Sequence, residues 1–550
     1  MKEDKRLHSG STGKDRIVII GLDACDADLV ERLSKEGHMP FLASLMKSGV
    51  WTRFTPTKVF FNDSPWPSFN AGVSPAKHGY YNYLLIKRGT TEIERIGAHH
   101  CRYLPFWSLL CDSGKQVAVF DVPKTFPIEG IDGIQISAWS EHSLTLKQPT
   151  SGPPEFIRDI IKRYGKYTHP REIITPRSTR QERRIYKRLQ SNLETKLQAT
   201  EFLMQQEDWD LFFTVFSEGH TAGHQFYHHL NEKHWAYKPE TPDDLRNALP
   251  DIYTQLDTAL ARLFNNIPNQ ATFFIVSVHG MAINYSANHM MPEVMEKLGF
   301  QVPATEKKQS NTIGSLLKWT TFARNLIPLS LRDFINTHIV SETVHDKAVS
   351  SAFSSGIDWK KTKAFFLPSD HFQGYISLNL KGREPFGIVE HGAEFDELCD
   401  EIRYELKHLT NPETGKAAVH DVVRTSDIYQ GPNLYELPDL VVLWAEDAPI
   451  NQLQHPRFGV ISAKGYKLRK AQHVTDGFMI AGGKYINKNA YLSGASTFDI
   501  APTILYLMEQ VIPDEMDGKV LLELIEEDFK RNNEPIYGKR PAIIPKAMRT

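Results

Sequence analysis

The chain lacks any apolar run near the ~18 residues that a membrane-spanning helix needs, so no membrane segment is expected. Cysteine is scarce. Cys25, Cys101, Cys111 and Cys399 stand without paired spacing, which argues against a disulfide framework and fits reduced thiols in a cytoplasm. Neither sign of charge is in excess: 64 basic residues against 66 acidic leave a net charge of −2, without the basic footprint of a nucleic-acid binder. Met1 to Lys14 holds no apolar segment, so no signal peptide is expected. Internal repeats and low-complexity tracts are also missing. What is present is 550 residues of ordinary hydrophobic content (41%), more than one usual core accommodates.

Arg16 to Leu22 is a short, nearly unbroken β-branched run and reads as a buried parallel strand. Gln116–Phe120, Gly133–Ile136, Leu211–Phe216, Thr272–Val278, Asp439–Leu443 and Phe478–Ala481 read as further strands. Helical stretches separate them: Asp28–Lys35, Pro40–Lys47 and Asp251–Phe264, the last with Ile252, Leu256, Leu260 and Leu263 on one face. Alternation of this kind predicts an α/β fold with a central, mostly parallel sheet flanked by helices. The expected organisation is a polar extension (1–15), an α/β core (16–300 and 356–530) holding a smaller α/β subdomain (372–425), a helical cap insertion (301–355) and a polar, loose tail (531–550).

Four segments carry the chemistry. Asp23 ends the first apolar strand and reads either as a metal ligand or as the N-cap of the next helix. His220 and His224, four apart after the Leu211–Phe216 strand, share a helical face and could bind one metal ion, although such pairs also decorate ordinary helix surfaces. His279 ends a second apolar strand and His473 precedes a Thr-Asp-Gly turn; alone, each is an unremarkable histidine. Their joint occurrence at the carboxyl ends of strands points to one metal-bearing crevice. Glu218 is open between ligand, orienting group and solvated turn residue. His228 and His229 read as outer or surface groups. Cys25, two residues beyond Asp23, reads as a nucleophile or, more simply, as buried filler.

The order and surroundings of these segments resemble the alkaline phosphatase superfamily, in its type I phosphodiesterase and nucleotide-pyrophosphatase branch. Gly21-Leu22-Asp23 is similar to the family's first metal aspartate, and Ser68 to Gly79 to the stretch after its nucleophile. His220 to His224 resembles the Asp-x-x-x-His pair, Val278-His279-Gly280 the Asp-His-Gly segment, and His473 the last histidine. Asp499 to Thr503 and Met516-Asp517-Gly518 are similar to the C-terminal signature. The resemblance implies an alkaline-phosphatase-like sandwich with two metal sites, and zinc or manganese as the ion.

The departures bear on function. His220 stands where site one would have an aspartate, and Val278 where site two would have its second aspartate. The nucleophile position, ten residues before Gly72, is Asn62, and an amide is no useful nucleophile. Ser64 reads as a displaced nucleophile or as a turn or cap serine. Asn62 reads as a metal or phosphate-oxygen contact, and Asp63 as a solvated loop residue or a substitute carboxylate. His289 or Asn288 could compensate at site two, with surface loops as the plainer reading. Lys58, Lys77, Lys87 and Arg88 are candidate phosphate contacts whose default is a solvated side chain.

A three-imidazole site of His220, His224 and His473 with an open position can lower a water's pKa to ~7, so that hydroxide attacks phosphorus without a protein nucleophile. The expected function is therefore metal-dependent hydrolysis of a phosphoric ester, a diester or pyrophosphate of a small molecule or nucleotide, with one or two ions per chain. The alternative is a family member that has lost its chemistry and acts as a binding or regulatory protein. Phosphomonoesterase and sulfatase rank lower, because Ser64-Pro65-Trp66-Pro67 lacks the Cys/Ser-x-Pro-x-Arg frame of a sulfatase; a phosphate mutase would need the nucleophile that Asn62 has replaced.

Overall fold

The computed structural model describes residues 16–54, 59–60, 62–97, 100, 102–128, 131–140, 146, 148–168, 170, 177–304, 342–369, 372–462 and 469–540. Most of the expected cap (305–341), Lys58 and Cys101 lie outside the described residues.

Ile17–Leu22 is buried at every position, and its hydrogen-bonding edges are taken by Leu211–Phe216 on one side and Thr272–Ser277 on the other, both parallel. Runs buried on both faces need helices above and below, and two apolar clusters supply them. Val18, Ile20 and Leu22 pack into one, with helices Ala27–Lys35, Thr179–Met204 and Ala248–Phe264; Ile17 and Ile19 pack into the other, with Ile500–Leu507. In spatial order the eight strands are Val50–Arg53, Phe478–Gly482, Thr272–Ser277, Ile17–Leu22, Leu211–Phe216, Val117–Phe120, Gly133–Ser137 and Thr150–Gly152. The middle five are parallel; Val50–Arg53, Phe478–Gly482 and Thr150–Gly152 run antiparallel to their neighbours. The α/β, alkaline-phosphatase-like reading of the chain is the architecture seen.

Leu440–Trp444 does not join this sheet. It lies in a second, antiparallel sheet ordered Ala364–Leu367, Gly374–Leu378, Leu440–Trp444, Val419–Arg424, covered by helix Ala393–Lys407. A short apolar strand looks the same in either kind of sheet; only its partners differ. The second sheet's other face packs on Phe60, Tyr80 and Tyr81, which ties it to the loop carrying Asn62 to Ser64. The tail is anchored as far as residue 540, residues 541–550 lying outside the described ones: Tyr537–Gly538 pairs with Ile512–Pro513, and Arg540 meets Glu515 at 2.8 Å. Among the described residues, no helix is long and apolar enough to cross a membrane.

Candidate metal centre

Because Ile17–Leu22, Leu211–Phe216 and Thr272–Ser277 are parallel neighbours, the residues following them emerge together at one edge. Asp23 follows the first, the Glu218–Phe226 helix the second and His279 the third. His473 arrives on Ala471–Val474, which pairs antiparallel with Gly280–Ile283 so that Met281 faces His473. Four stretches far apart in the chain thus deliver their side chains to one place.

The Nε2 atoms of His220, His224 and His473 lie 3.1 to 3.2 Å from one another. The tautomers of His220 and His224 follow from the partners on the other side of each ring. His224 Nδ1 donates to the Ala471 carbonyl at 3.0 Å, and a carbonyl only accepts, so His224 Nε2 presents a lone pair. His220 Nδ1 donates to Asp23 Oδ2 at 2.6 Å, so a neutral His220 presents its Nε2 lone pair too. Lone pairs at this separation repel. A proton on His473 can serve one of them well, whereas a cation at the centre serves all three. Metal–nitrogen bonds of 2.0–2.1 Å in a tetrahedron set nitrogen–nitrogen edges of about 3.3 Å, close to those seen. The donor set fits a divalent cation. His224 is buried while His220 and His473 remain partly open to solvent, which leaves room for a fourth ligand.

Asp23 is turned to its neighbours. Trp66 Nε1 donates to Oδ1 at 2.7 Å, Oδ2 takes His220, and His279 Nε2 stands 3.9 Å from Oδ1. Burial disfavours the charged carboxylate, yet His220, His279 and the Trp66 indole together hold its pKa well below the usual range. Gly21 makes this possible: a Cβ there would come within 2.7 Å of the Trp66 ring. His279 is buried, and desolvation pushes its pKa down to about 4, partly offset by Asp23.

Residues 17–467 match the family described as Type I phosphodiesterase / nucleotide pyrophosphatase. The chain belongs to this family. The family's description names phosphodiester and pyrophosphate chemistry, which supports a phosphoester hydrolase. No curated protein matches the sequence. Among solved structures, phosphonoacetate hydrolase from Sinorhizobium meliloti 1021, in complex with phosphonoacetate, is similar at a TM-score of 0.51 and 14% identity, over 89% of this chain and 94% of that one. Murine ectonucleotide pyrophosphatase / phosphodiesterase 5 with AMP is similar at 0.48 and 11% identity, over 93% and 100%.

The remaining candidates of this phosphodiesterase-family chain sit as follows. Ser64 is buried at the start of helix Pro65–Ala71 and donates its hydroxyl to the Tyr80 carbonyl at 2.9 Å. Asn62 is buried, with the Tyr375 hydroxyl as a neighbour of its amide. Asp63 is buried rather than solvated: it accepts from the Tyr83 N–H at 3.0 Å and pairs with the Lys124 ammonium. Glu218 is buried as the first residue of the histidines' helix; desolvation raises its pKa, and the Tyr167 hydroxyl donates to it at 2.7 Å. His289 lies on the Asn288–Met290 turn, whose Asn288 accepts from the Trp444 indole of the second sheet at 2.7 Å. Lys77 is occupied by Asp517 and the Glu515 carbonyl, while Lys87 and Arg88 are exposed. Asp517 also accepts from the Ser74 N–H at 2.7 Å, so the C-terminal signature braces the segment after the nucleophile position. Cys25 is buried beside Tyr253, and desolvation pushes its pKa far above neutrality, the opposite of an activated thiol.

Two groupings escaped the sequence. Lys124 follows the Val117–Phe120 strand, and a lone loop lysine carries no pattern beyond that position at a strand's carboxyl end. His228 and His229 are buried, not superficial, and gather with Glu182 into a second cluster of ligand-type side chains. There the Lys470 ammonium lies 2.9 Å from His228 Nε2 and 3.7 Å from Glu182, so a cation is already built in. His234 donates to the Lys470 carbonyl at 2.8 Å, as His224 does to Ala471. The strand carrying His473 is thereby gripped at two successive carbonyls.

Proposed function

We propose that the protein is a metal-dependent hydrolase of phosphodiester or pyrophosphate bonds in a small-molecule or nucleotide substrate, with zinc, or manganese, held by His220, His224 and His473. The observation that carries this reading is the meeting of three imidazole Nε2 atoms within 3.1 to 3.2 Å of one another, at the spacing a tetrahedral metal ion sets. A bound divalent ion supplies Lewis acidity and brings water's ionisation to about neutral pH.

The chain's own residues set up everything else. Asp23 orients His220 and strengthens it as a ligand, and Trp66 fixes Asp23, the carboxylate–histidine arrangement that metal sites commonly use. The Ala471 carbonyl does the same for His224. Asp23 is thus assigned as an orienting group and His279 as its neutral neighbour. Ser64 keeps its proton on a carbonyl, so water is the assigned attacking group, with Asn62 lining the pocket as an amide. The thiols of Cys25 and Cys399 fit a reducing compartment.

Elemental analysis combined with a screen of phosphodi-, phosphomono- and sulfate esters tests the assignment. Tightly held zinc or manganese with diester turnover agrees with it. A protein that binds no metal and turns over none of these is instead a binding member of the family. Two substitutions refine the roles. Asp23→Asn keeps the shape but weakens the His220 tautomer, and metal affinity or turnover should fall about 10- to 100-fold; an unchanged zinc titration removes Asp23 from the site. Ser64→Ala should retain most of the diester turnover, and complete loss would make Ser64 the nucleophile.

A further inference from the structure

Among the described residues, ligand-type atoms converge at a second place besides the three histidines: one atom from each of Glu182, His228 and His229 lies within 4.8 Å of the other two. Two elements bring them together. His228 and His229 form the turn Tyr227–His229 that follows the Glu218–Phe226 helix, so His220, His224 and His228 are spaced four apart along one course of chain. Glu182 lies in the first turn of Thr179–Met204, which Ser178 and Gln181 cap reciprocally. Its Oε2 stands 3.6 Å from His229 Nε2, near the ~3.3 Å edge of a zinc tetrahedron. The two imidazole rings lie against each other with centres 3.7 Å apart.

Polar atoms in this cluster go unmatched. His228 and His229 are 2% and 4% exposed, and a nitrogen so buried needs a partner. Neither ring nitrogen of His229 has a hydrogen bond among the described residues, nor has His228 Nδ1. The Lys470 ammonium reaches His228 Nε2 at 2.9 Å and Glu182 Oε1 at 3.7 Å, which answers one ring and leaves the other. His234 is committed elsewhere: Nδ1 accepts from the Ala236 N–H at 2.9 Å and Nε2 donates to the Lys470 carbonyl at 2.8 Å. That bond holds the Lys470 backbone, while the side chain, 22% exposed, is a flexible stem with a way out to solvent. On the other side, His229 forms part of the wall of a cavity of about 540 Å³, lined also by Arg32, Glu36, Glu232, Arg246 and Asp251, which gives an ion an entry path.

We propose that Glu182, His228 and His229 form a second divalent-metal site, separate from the first, in which an ion of zinc type displaces the Lys470 ammonium. Two imidazoles and a carboxylate are donors that zinc takes in sites with an open position, and the nitrogen donors disfavour magnesium and calcium. The ion supplies what the ammonium cannot, a positive partner for His229 as well as for His228 and Glu182. Because the ammonium competes, this site binds more weakly than the three-imidazole centre. An ion here also ties the Thr179–Met204 helix to the turn after Glu218–Phe226, so its binding stabilises the folded chain.

Equilibrium dialysis of the full chain against micromolar zinc, with metal and protein both quantified, tests this. The wild type should bind two ions per chain, His224→Ala one, and His224→Ala/His229→Gln none. Zinc should raise the melting temperature of His224→Ala and leave that of the double variant unchanged. Lys470→Met, made in the His224→Ala chain, should hold its ion roughly tenfold more tightly, since a unit positive charge no longer opposes it. Circular dichroism checks each fold, and Glu182→Gln replaces His229→Gln if that variant does not fold. A His224→Ala chain that binds no zinc, an ion that survives His229→Gln, or an affinity unchanged by Lys470→Met overturns the assignment. A His224→Ala chain that binds as much zinc as the wild type contradicts the first centre instead, and the loss of an ion with His229→Gln still decides the second.

Discussion

His224→Ala should abolish hydrolysis of bis-p-nitrophenyl phosphate and strip the protein of its tightly held ion while leaving the fold in place. His224 is the ligand with the least freedom: its ring is fixed between the Ala471 carbonyl at 3.0 Å and two other imidazoles at 3.1 and 3.2 Å. Its removal reduces a three-nitrogen site to two, and a bound ion's charge stabilisation of several kcal/mol in the transition state is lost with it. A loss of about 4 kcal/mol corresponds to roughly a thousandfold in rate. Turnover within tenfold of wild type, at unchanged zinc content, would place the chemistry elsewhere. Circular dichroism guards against the trivial explanation, because the helix Glu218–Phe226 keeps its packing on Ala248–Phe264 without this ring.

The second large effect is on stability. Lys196→Met should lower the free energy of unfolding by about 3–5 kcal/mol, because it leaves a buried carboxylate without its countercharge. Lys196 Nζ donates to Asp121 Oδ2 at 2.9 Å, and neither side chain has any exposed surface. The ammonium also lies 3.3 Å from the centre of the Phe120 ring. Methionine fills most of the volume, which isolates the electrostatic part of the loss. The double variant Lys196→Met/Asp121→Asn should recover much of the stability, since the uncompensated charge is then gone. Urea unfolding of the single and double variants measures both; equal midpoints for wild type and Lys196→Met would show that Asp121 finds another partner.

How much of this could be read in advance differs from element to element. Ile17–Leu22, Leu211–Phe216 and Thr272–Ser277 were legible because a strand buried on both faces must be apolar at every position, and few other elements are. Once they are parallel neighbours, the polar residues just beyond them have to share an edge, so Asp23, His220, His224 and His279 could be grouped from the chain alone. His473 joined the group through the order of the motifs; its strand reaches the site by pairing with Gly280–Ile283, a contact no local pattern encodes. Leu440–Trp444 was recognisable as a strand but not as a member of the antiparallel sheet, because partner choice is a long-range property. Lys124, His228 and His229 were read as ordinary polar side chains or passed over, since burial of a charged residue is decided by elements distant in sequence. The hydrogen bond that occupies Ser64 likewise depends on where residue 80 returns.

The central claim is most directly tested by anomalous diffraction from crystals of the zinc-loaded protein, recorded on either side of the zinc edge. One strong peak about 2 Å from each Nε2 of His220, His224 and His473 is the expected result. A map with no peak among those three nitrogens, from crystals shown by fluorescence to contain zinc, contradicts the account.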